Sequence, residues 1–128
     1  MPRTLWTPDR RRGDRRLVPF LLHAHMQGAD APVRVHELGP GGMVVESARP
    51  LMAGDRVTFT LGSGADATGP MEGYVAHSRL ILARRDGESP VCLAGVAFEH
   101  VTAVQWDRVA AWLAAIDQSR NHGSTQVP

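Results

Sequence analysis

Short stretches of alternating apolar and polar residues, separated by turns rich in Gly and Pro, occupy most of the chain. In residues 17–26 every second side chain is apolar, which places these side chains on one face of a β-strand. The residues of this face are Val18, Phe20, Leu22, Ala24 and Met26. The same kind of pattern predicts further strands at residues 32–38, 43–47, 56–61, 71–85 and 91–100. Six short strands joined by such turns indicate an antiparallel sandwich or barrel.

After residue 101 the apolar period becomes that of an α-helix, in the stretch TAVQWDRVAAWLAAIDQSR. Thr102 and Gln105 have the spacing of a capping box, in which each side chain accepts a hydrogen bond from the other residue's backbone N–H. The face predicted to pack on the barrel consists of Trp106, Val109, Leu113 and Ile116, with Trp112 beside it. The predicted fold class is therefore all-β with a C-terminal helix.

The length of 128 residues suits one domain. Residues 1–9 contain two prolines and no apolar period, so we expect a flexible N-terminal arm there. Residues 10–117 are predicted to form the domain, and residues 118–128 a flexible C-terminal tail. No apolar run approaches the length of about 18 residues that a membrane helix needs, and no signal peptide is visible, so membrane insertion is not expected.

The net charge is only +1, but the charge is unevenly distributed. Residues 1–16 contain six Arg and two Asp, a net charge of +4, whereas residues 17–128 contain eight Arg and eleven acidic residues, a net charge of −3. The positive potential therefore belongs to the N-terminal segment. Cys92 is the only cysteine, which excludes an internal disulfide and suits a reducing cytoplasm. Its place in an apolar strand predicts a buried thiol.

Motifs that would indicate catalysis are missing. The chain contains no serine-hydrolase, metalloprotease or P-loop motif, so no catalytic residue is predicted and the protein is not expected to be an enzyme. His23 and His25 would lie on one face of a strand, but a structural zinc site uses four ligands. We therefore predict no metal site.

A cluster of arginines lies directly before the first predicted strand, in "RRRGDRR" at residues 10–16. Arg11 and Arg15 have the spacing RxxxR, and Arg12 completes the form RRxxR; Arg12 with Arg16 is a shifted alternative. The cluster resembles the first motif of the PilZ family of bacterial cyclic di-GMP receptors, which is an RxxxR arm before the first strand.

A second stretch, "ELGPGG" at residues 37–42, resembles the (D/N)xSxxG motif of the same family. Glu37 takes the position of the Asp or Asn, Gly39 that of the Ser, and Gly42 that of the Gly. The stretches "LMAGDRVTFTL" and "LAGVAFEHV" and the C-terminal helix also resemble the family, so the resemblance covers nearly all of residues 10–117.

The resemblance implies a six-stranded antiparallel PilZ-like β-barrel that binds cyclic di-GMP, needs no other cofactor and signals to a separate, unidentified protein partner. The ligand-binding residues that it implies are Arg11, Arg12, Arg15, Arg16, Glu37, Gly39 and Gly42. The chemistry of these residues agrees with this function. An arginine offers a planar fork of donors to phosphate oxygens or to the O6/N7 edge of guanine, and a carboxylate can accept hydrogen bonds from guanine N–H groups.

Two residues depart from the family pattern. Glu37 keeps the negative charge but adds a methylene group, and Gly39 lacks a hydroxyl whose single hydrogen bond is worth about 0.5–1.5 kcal/mol. We therefore expect weakened binding, and we expect Glu37→Asp with Gly39→Ser to raise the affinity about tenfold. The alternative is a degenerate PilZ domain that does not bind cyclic di-GMP and acts as a protein-interaction module.

Nucleic-acid binding by the clustered arginines is a third class of function. Such a cluster could neutralise several phosphates and would give weak, salt-sensitive affinity. The net acidic character of residues 17–128 opposes it. Neither DNA nor RNA is therefore expected as a partner.

Overall fold

A computed structural model describes residues 15–82, 87 and 89–125, with side chains as far as residue 120. These residues form seven strands and one long helix, besides a short 3-10 turn at Gly64–Asp66. The strands are β1 (Arg16–Leu17), β2 (His23–Met26), β3 (Val33–Gly39), β4 (Gly42–Ser47), β5 (Arg56–Leu61), β6 (Pro70–Ile81) and β7 (Val91–Glu99), and the helix is α1 (Ala103–Thr125).

Six of the strands close into an antiparallel barrel. The order around it is β3–β2–β5–β6–β7–β4, and β4 pairs back onto β3 to complete the circle. Strand β1 is an additional short strand that pairs with the end of β3. The prediction of a six-stranded antiparallel barrel with a C-terminal helix is therefore confirmed. Full closure leaves each of the six strands paired on both sides along part of its length.

The predicted first strand at residues 17–26 is divided in two. Leu17 pairs with Glu37 and His23 with Arg34, so five residues of this segment face only two residues of β3. The surplus residues include the exposed Pro19, which has no backbone N–H to donate to the ladder. The apolar face predicted for this segment nevertheless packs on or within the core.

The core lies inside the barrel and beneath α1. Phe59 of β5 is fully buried, and its ring centroid is 5.6 Å from that of Phe98 at the end of β7. Val33 and Val35, predicted to face inward, are buried, and so is Cys92. Period-two alternation therefore identifies the inner face of the barrel correctly.

Helix α1 begins with the predicted capping box. The backbone N–H of Gln105 donates to Thr102 Oγ1 at 3.1 Å, and the backbone N–H of Thr102 donates to Gln105 Oε1 at 3.0 Å. The predicted apolar face packs on the barrel through Val109, Leu113 and Ile116, all of them buried.

One expectation for the C-terminal part needs correction. Trp106, predicted to belong to the packed face, keeps 38% of its surface exposed, because the first turn of α1 stands at the rim of the barrel over a cleft. The helix itself extends to Thr125.

Candidate functional site

Pairing of β1 with β3 brings Arg15 and Arg16 beside the second motif stretch. Arg16 pairs with Leu38, and Arg15, one residue earlier, lies against Gly39. A Cβ atom on Gly39 would be 2.8 Å from Arg15 Cγ and 3.2 Å from Arg15 Cα, so the absence of a side chain allows this close approach. Arg15, one of the two described residues of the arginine cluster, therefore lies against the "ELGPGG" stretch.

The Arg15 guanidinium faces the Glu37 carboxylate. Arg15 Nε is 3.9 Å from Glu37 Oε1, and the two side chains are 21% and 37% exposed. Arg15 Nε is buried and has no hydrogen-bond partner among the described residues. This leaves an unsatisfied donor beside a carboxylate, an arrangement that a ligand with acceptor and donor groups could complete.

A β-bulge turns Glu37 outward. The register between β3 and β4 shifts between Val35 and Glu37, so Val35 and Leu38 both point into the core although three positions separate them. Bulges of this kind re-aim side chains, and they are frequent beside functional sites. His36, at the bulge itself, is bound through Nε2 to Glu46 Oε1 at 2.7 Å.

Arg16 lies on the other side of β1 from Arg15, because successive side chains of a strand alternate. Its Nε donates to Asp117 Oδ1 of α1 at 2.8 Å, and the two side chains are 33% and 47% exposed. Arg16 therefore connects the start of the barrel to the C-terminal helix.

Gly42 has a packing role of its own. It pairs with Gly39 on one side and with Ala97 on the other. A Cβ atom at Gly42 would overlap the carbonyl oxygen of Val96, so any larger residue would push β4 and β7 apart. The described residues thus place Arg15, Glu37 and Gly39 in one group, with Gly42 in the adjacent strand.

The remaining predicted ligand residues, Arg11 and Arg12, and the predicted arm of residues 1–9 lie outside the described residues. His23 is half-buried and His25 exposed, and the part of the chain that the structure describes holds no group of three or more His, Cys, Asp or Glu suited to a metal ion. No helix within that part is long and apolar enough to cross a membrane.

The sequence did not predict a cleft of about 610 Å³ at one end of the barrel. The β3–β4 turn, the end of β7 and the first turn of α1 enclose it. Among its lining residues are Pro40, Gly41, Tyr74, Phe98, Val101 and Trp106. The sequence feature that could have indicated this cleft is Trp106, because a large aromatic residue in the first turn of the helix lies at the end of the barrel.

No protein-family model matches the chain, and no curated protein matches it either. A solved structure that resembles it is described as the PilZ domain with c-di-GMP of YcgR from Escherichia coli. The two chains share 13% sequence identity with a TM-score of 0.65, and the match covers 88% of this chain and 95% of that chain. The chain therefore has the PilZ fold.

Proposed function

We propose that this PilZ-fold chain is a receptor that binds cyclic di-GMP on the outer surface formed by β1 and β3. The observation that carries the proposal is the approach of Arg15 to Glu37 and Gly39, two residues of the second motif stretch. A further support is the likeness to a PilZ domain whose structure is described as holding c-di-GMP. The full set of proposed ligand residues is Arg11, Arg12, Arg15, Arg16, Glu37, Gly39 and Gly42.

The chemistry of this surface suits a guanine dinucleotide. The Arg15 guanidinium can bind a phosphate or the O6/N7 edge of a guanine, and Arg11 would supply a second such fork. The Glu37 carboxylate can accept from the N1–H and N2–H groups of guanine. A ligand that separated the Arg15 and Glu37 side chains, now 3.9 Å apart, would give each a stronger partner.

The role of the protein would be reception and relay. We propose no catalysis, a cytoplasmic location, and an output through a separate protein partner. Arg16 would contribute chiefly by orienting β1, since its Nε is engaged with Asp117. Gly42 would contribute by keeping the β4 backbone close to β7.

One observation favours the alternative, a PilZ-fold module that does not bind cyclic di-GMP. The space beside Gly39, where the family pattern has a serine side chain, is occupied by Cγ of Arg15. The loop is therefore packed for glycine and lacks the hydroxyl that would bind the ligand. In this case the same surface would serve a protein partner alone.

Calorimetric titration with cyclic di-GMP separates the two. We expect the wild type to bind and Arg15→Ala to lose about 10- to 100-fold in affinity, because a charge-assisted hydrogen bond is worth about 1.5–3 kcal/mol. Arg49→Ala is the matched control, since Arg49 is exposed just beyond the far end of β4 and should leave the affinity unchanged.

The outcomes of this titration have distinct meanings. No binding by folded wild-type protein would sink the receptor proposal in favour of the interaction module. Equal binding by wild type and Arg15→Ala would show that the site lies elsewhere. Binding to DNA or RNA that weakens steeply with salt would instead support the nucleic-acid class.

A further inference from the structure

The cleft at the end of the barrel exposes large aromatic side chains in a concave surface. Tyr74 is 36% exposed and Trp106 is 38% exposed, and Phe98 and Val101 are further apolar residues of its lining. The volume of about 610 Å³ lies within the range of about 300–1,000 Å³ that is typical of binding pockets. Apolar surface of this shape is where a protein buries an apolar group of a partner or of its own chain.

The register of β1 places Arg15 beside the β3–β4 turn, at the edge of this cleft. Leu17 pairs with Glu37 and Arg16 with Leu38, so the chain followed back as far as Arg15 runs toward the β3–β4 turn. Arg15 already contacts Gly39, and the next residues of the turn, Pro40 and Gly41, line the cleft.

The segment of residues 1–14, "MPRTLWTPDRRRGD", has the length and composition to fill the cleft. It holds an adjacent pair of large apolar residues, Leu5 and Trp6. The nine residue-to-residue steps from Trp6 to Arg15 can span about 30 Å when extended. From β3 across β4 to β7 the distance is about 10 Å, so the pair can reach the aromatic walls.

Tethering favours docking of this segment. Residues 1–14 contain four Arg and two Asp, a net charge of +2. Glu99, which lines the cleft, is already paired with Arg56, and its cross-strand neighbour Glu72 is paired with His100, so charge contributes little to the docking. A tether of this length gives an effective concentration of about millimolar, so modest apolar burial suffices for docking.

We propose that Leu5 and Trp6 of the same chain occupy this cleft, with the Trp6 ring against Tyr74 and Trp106. The docking itself does not depend on cyclic di-GMP. One consequence does rest on the proposed function, namely that a docked Leu5–Trp6 pair would shorten the free tether that carries Arg11 and so lower the entropic cost of ordering it around a ligand.

The three tryptophans make the test direct, because each gives one indole N–H signal in a ¹H–¹⁵N NMR spectrum. We expect Trp6→Ala to remove one signal and to shift the Trp106 signal. The Trp112 signal should stay in place, because its Nε1 donates to the Asp66 carbonyl. Tyr74→Ala should in turn shift the Trp6 signal, and wild-type protein should show nuclear Overhauser contacts between Trp6 and Tyr74 or Trp106.

Leu80→Ala is the matched control, because Leu80 is 57% exposed on the same strand as Tyr74 but about 20 Å further along it. It should leave the Trp6 and Trp106 signals unchanged, and coincidence of the other signals verifies the fold of each variant. A Trp106 signal that does not respond to Trp6→Ala, with no contacts to Trp6, would overturn the proposal. A Trp106 signal that moves on dilution would overturn it in favour of a second copy in the cleft.

Discussion

Gly39→Ser is the substitution for which sequence and structure predict opposite results. The family pattern has serine at this position, and the sequence alone predicts that restoring it raises affinity for cyclic di-GMP. In the structure a Cβ atom at this position would be 2.8 Å from Arg15 Cγ, 3.2 Å from Arg15 Cα and 3.4 Å from the Arg15 backbone nitrogen. We therefore expect Gly39→Ser to displace Arg15 and to lower stability and affinity together.

The size of the effect follows from which atoms must move. The contacts involve the backbone of Arg15 and the first part of its side chain, so rotation of the distal guanidinium cannot relieve them. Overpacking of this kind costs about 1–3 kcal/mol, whereas the restored hydroxyl returns about 1 kcal/mol if it finds a partner. We expect a loss of about 1–2 kcal/mol in the free energy of unfolding, which lowers Tm by about 4–8 °C.

Thermal unfolding of four proteins tests this explanation: wild type, Gly39→Ser, Arg15→Ala and the double variant. Arg15→Ala removes Cγ but leaves Cα at 3.2 Å, so Gly39→Ser should lower the free energy of unfolding less in the Arg15→Ala background than in the wild type. The difference between these two losses in free energy is the contribution of the steric contact between residue 39 and the Arg15 side chain. A Gly39→Ser protein as stable as the wild type, with tighter ligand binding, would refute our account of the glycine.

Three further predictions concern the scaffold around the site. Asp117→Asn removes the charge that holds Arg16. Because both side chains are partly exposed, we expect the free energy of unfolding in urea to fall by only about 0.5 kcal/mol, and by less at high salt. The exposed control Asp107→Asn should leave the free energy of unfolding unchanged. Thr102→Ala removes one half of the capping box and should cost about 0.5–2 kcal/mol in the same assay; an unchanged midpoint would show that water replaces the cap. Phe59→Ala empties the centre of the barrel and should cost about 3–5 kcal/mol, and a cost below 1 kcal/mol would mean that the core collapses around the cavity.

The barrel could be predicted from the sequence because its determinants are local. Alternation along one strand decides which side chains face inward, and Val33 and Val35 of β3 and Phe59 and Leu61 of β5 are buried accordingly. The capping box is equally local, since Thr102 and Gln105 are three residues apart and satisfy each other's backbone. Signals of this kind do not depend on how distant elements are arranged.

The departures from prediction arise from contacts between distant residues. The break around Pro19 depends on which part of β3 each half of the segment meets, and alternation within the segment does not reveal it. The exposure of Trp106 depends on where the barrel ends beneath α1, because helical spacing alone assigns it to the apolar face. The cleft it lines joins the β3–β4 turn, β7 and α1, which no single stretch of sequence describes.

The arginine cluster shows what the added strand contributes to the site. On sequence alone the spacing RxxxR fits both Arg11 with Arg15 and Arg12 with Arg16. Of these residues the structure describes Arg15 and Arg16. Arg15, just before β1, faces Glu37, whereas Arg16 of β1 binds Asp117 of α1, because successive side chains alternate. We therefore propose that Arg15 contacts the ligand and that Arg16 connects β1 to the helix.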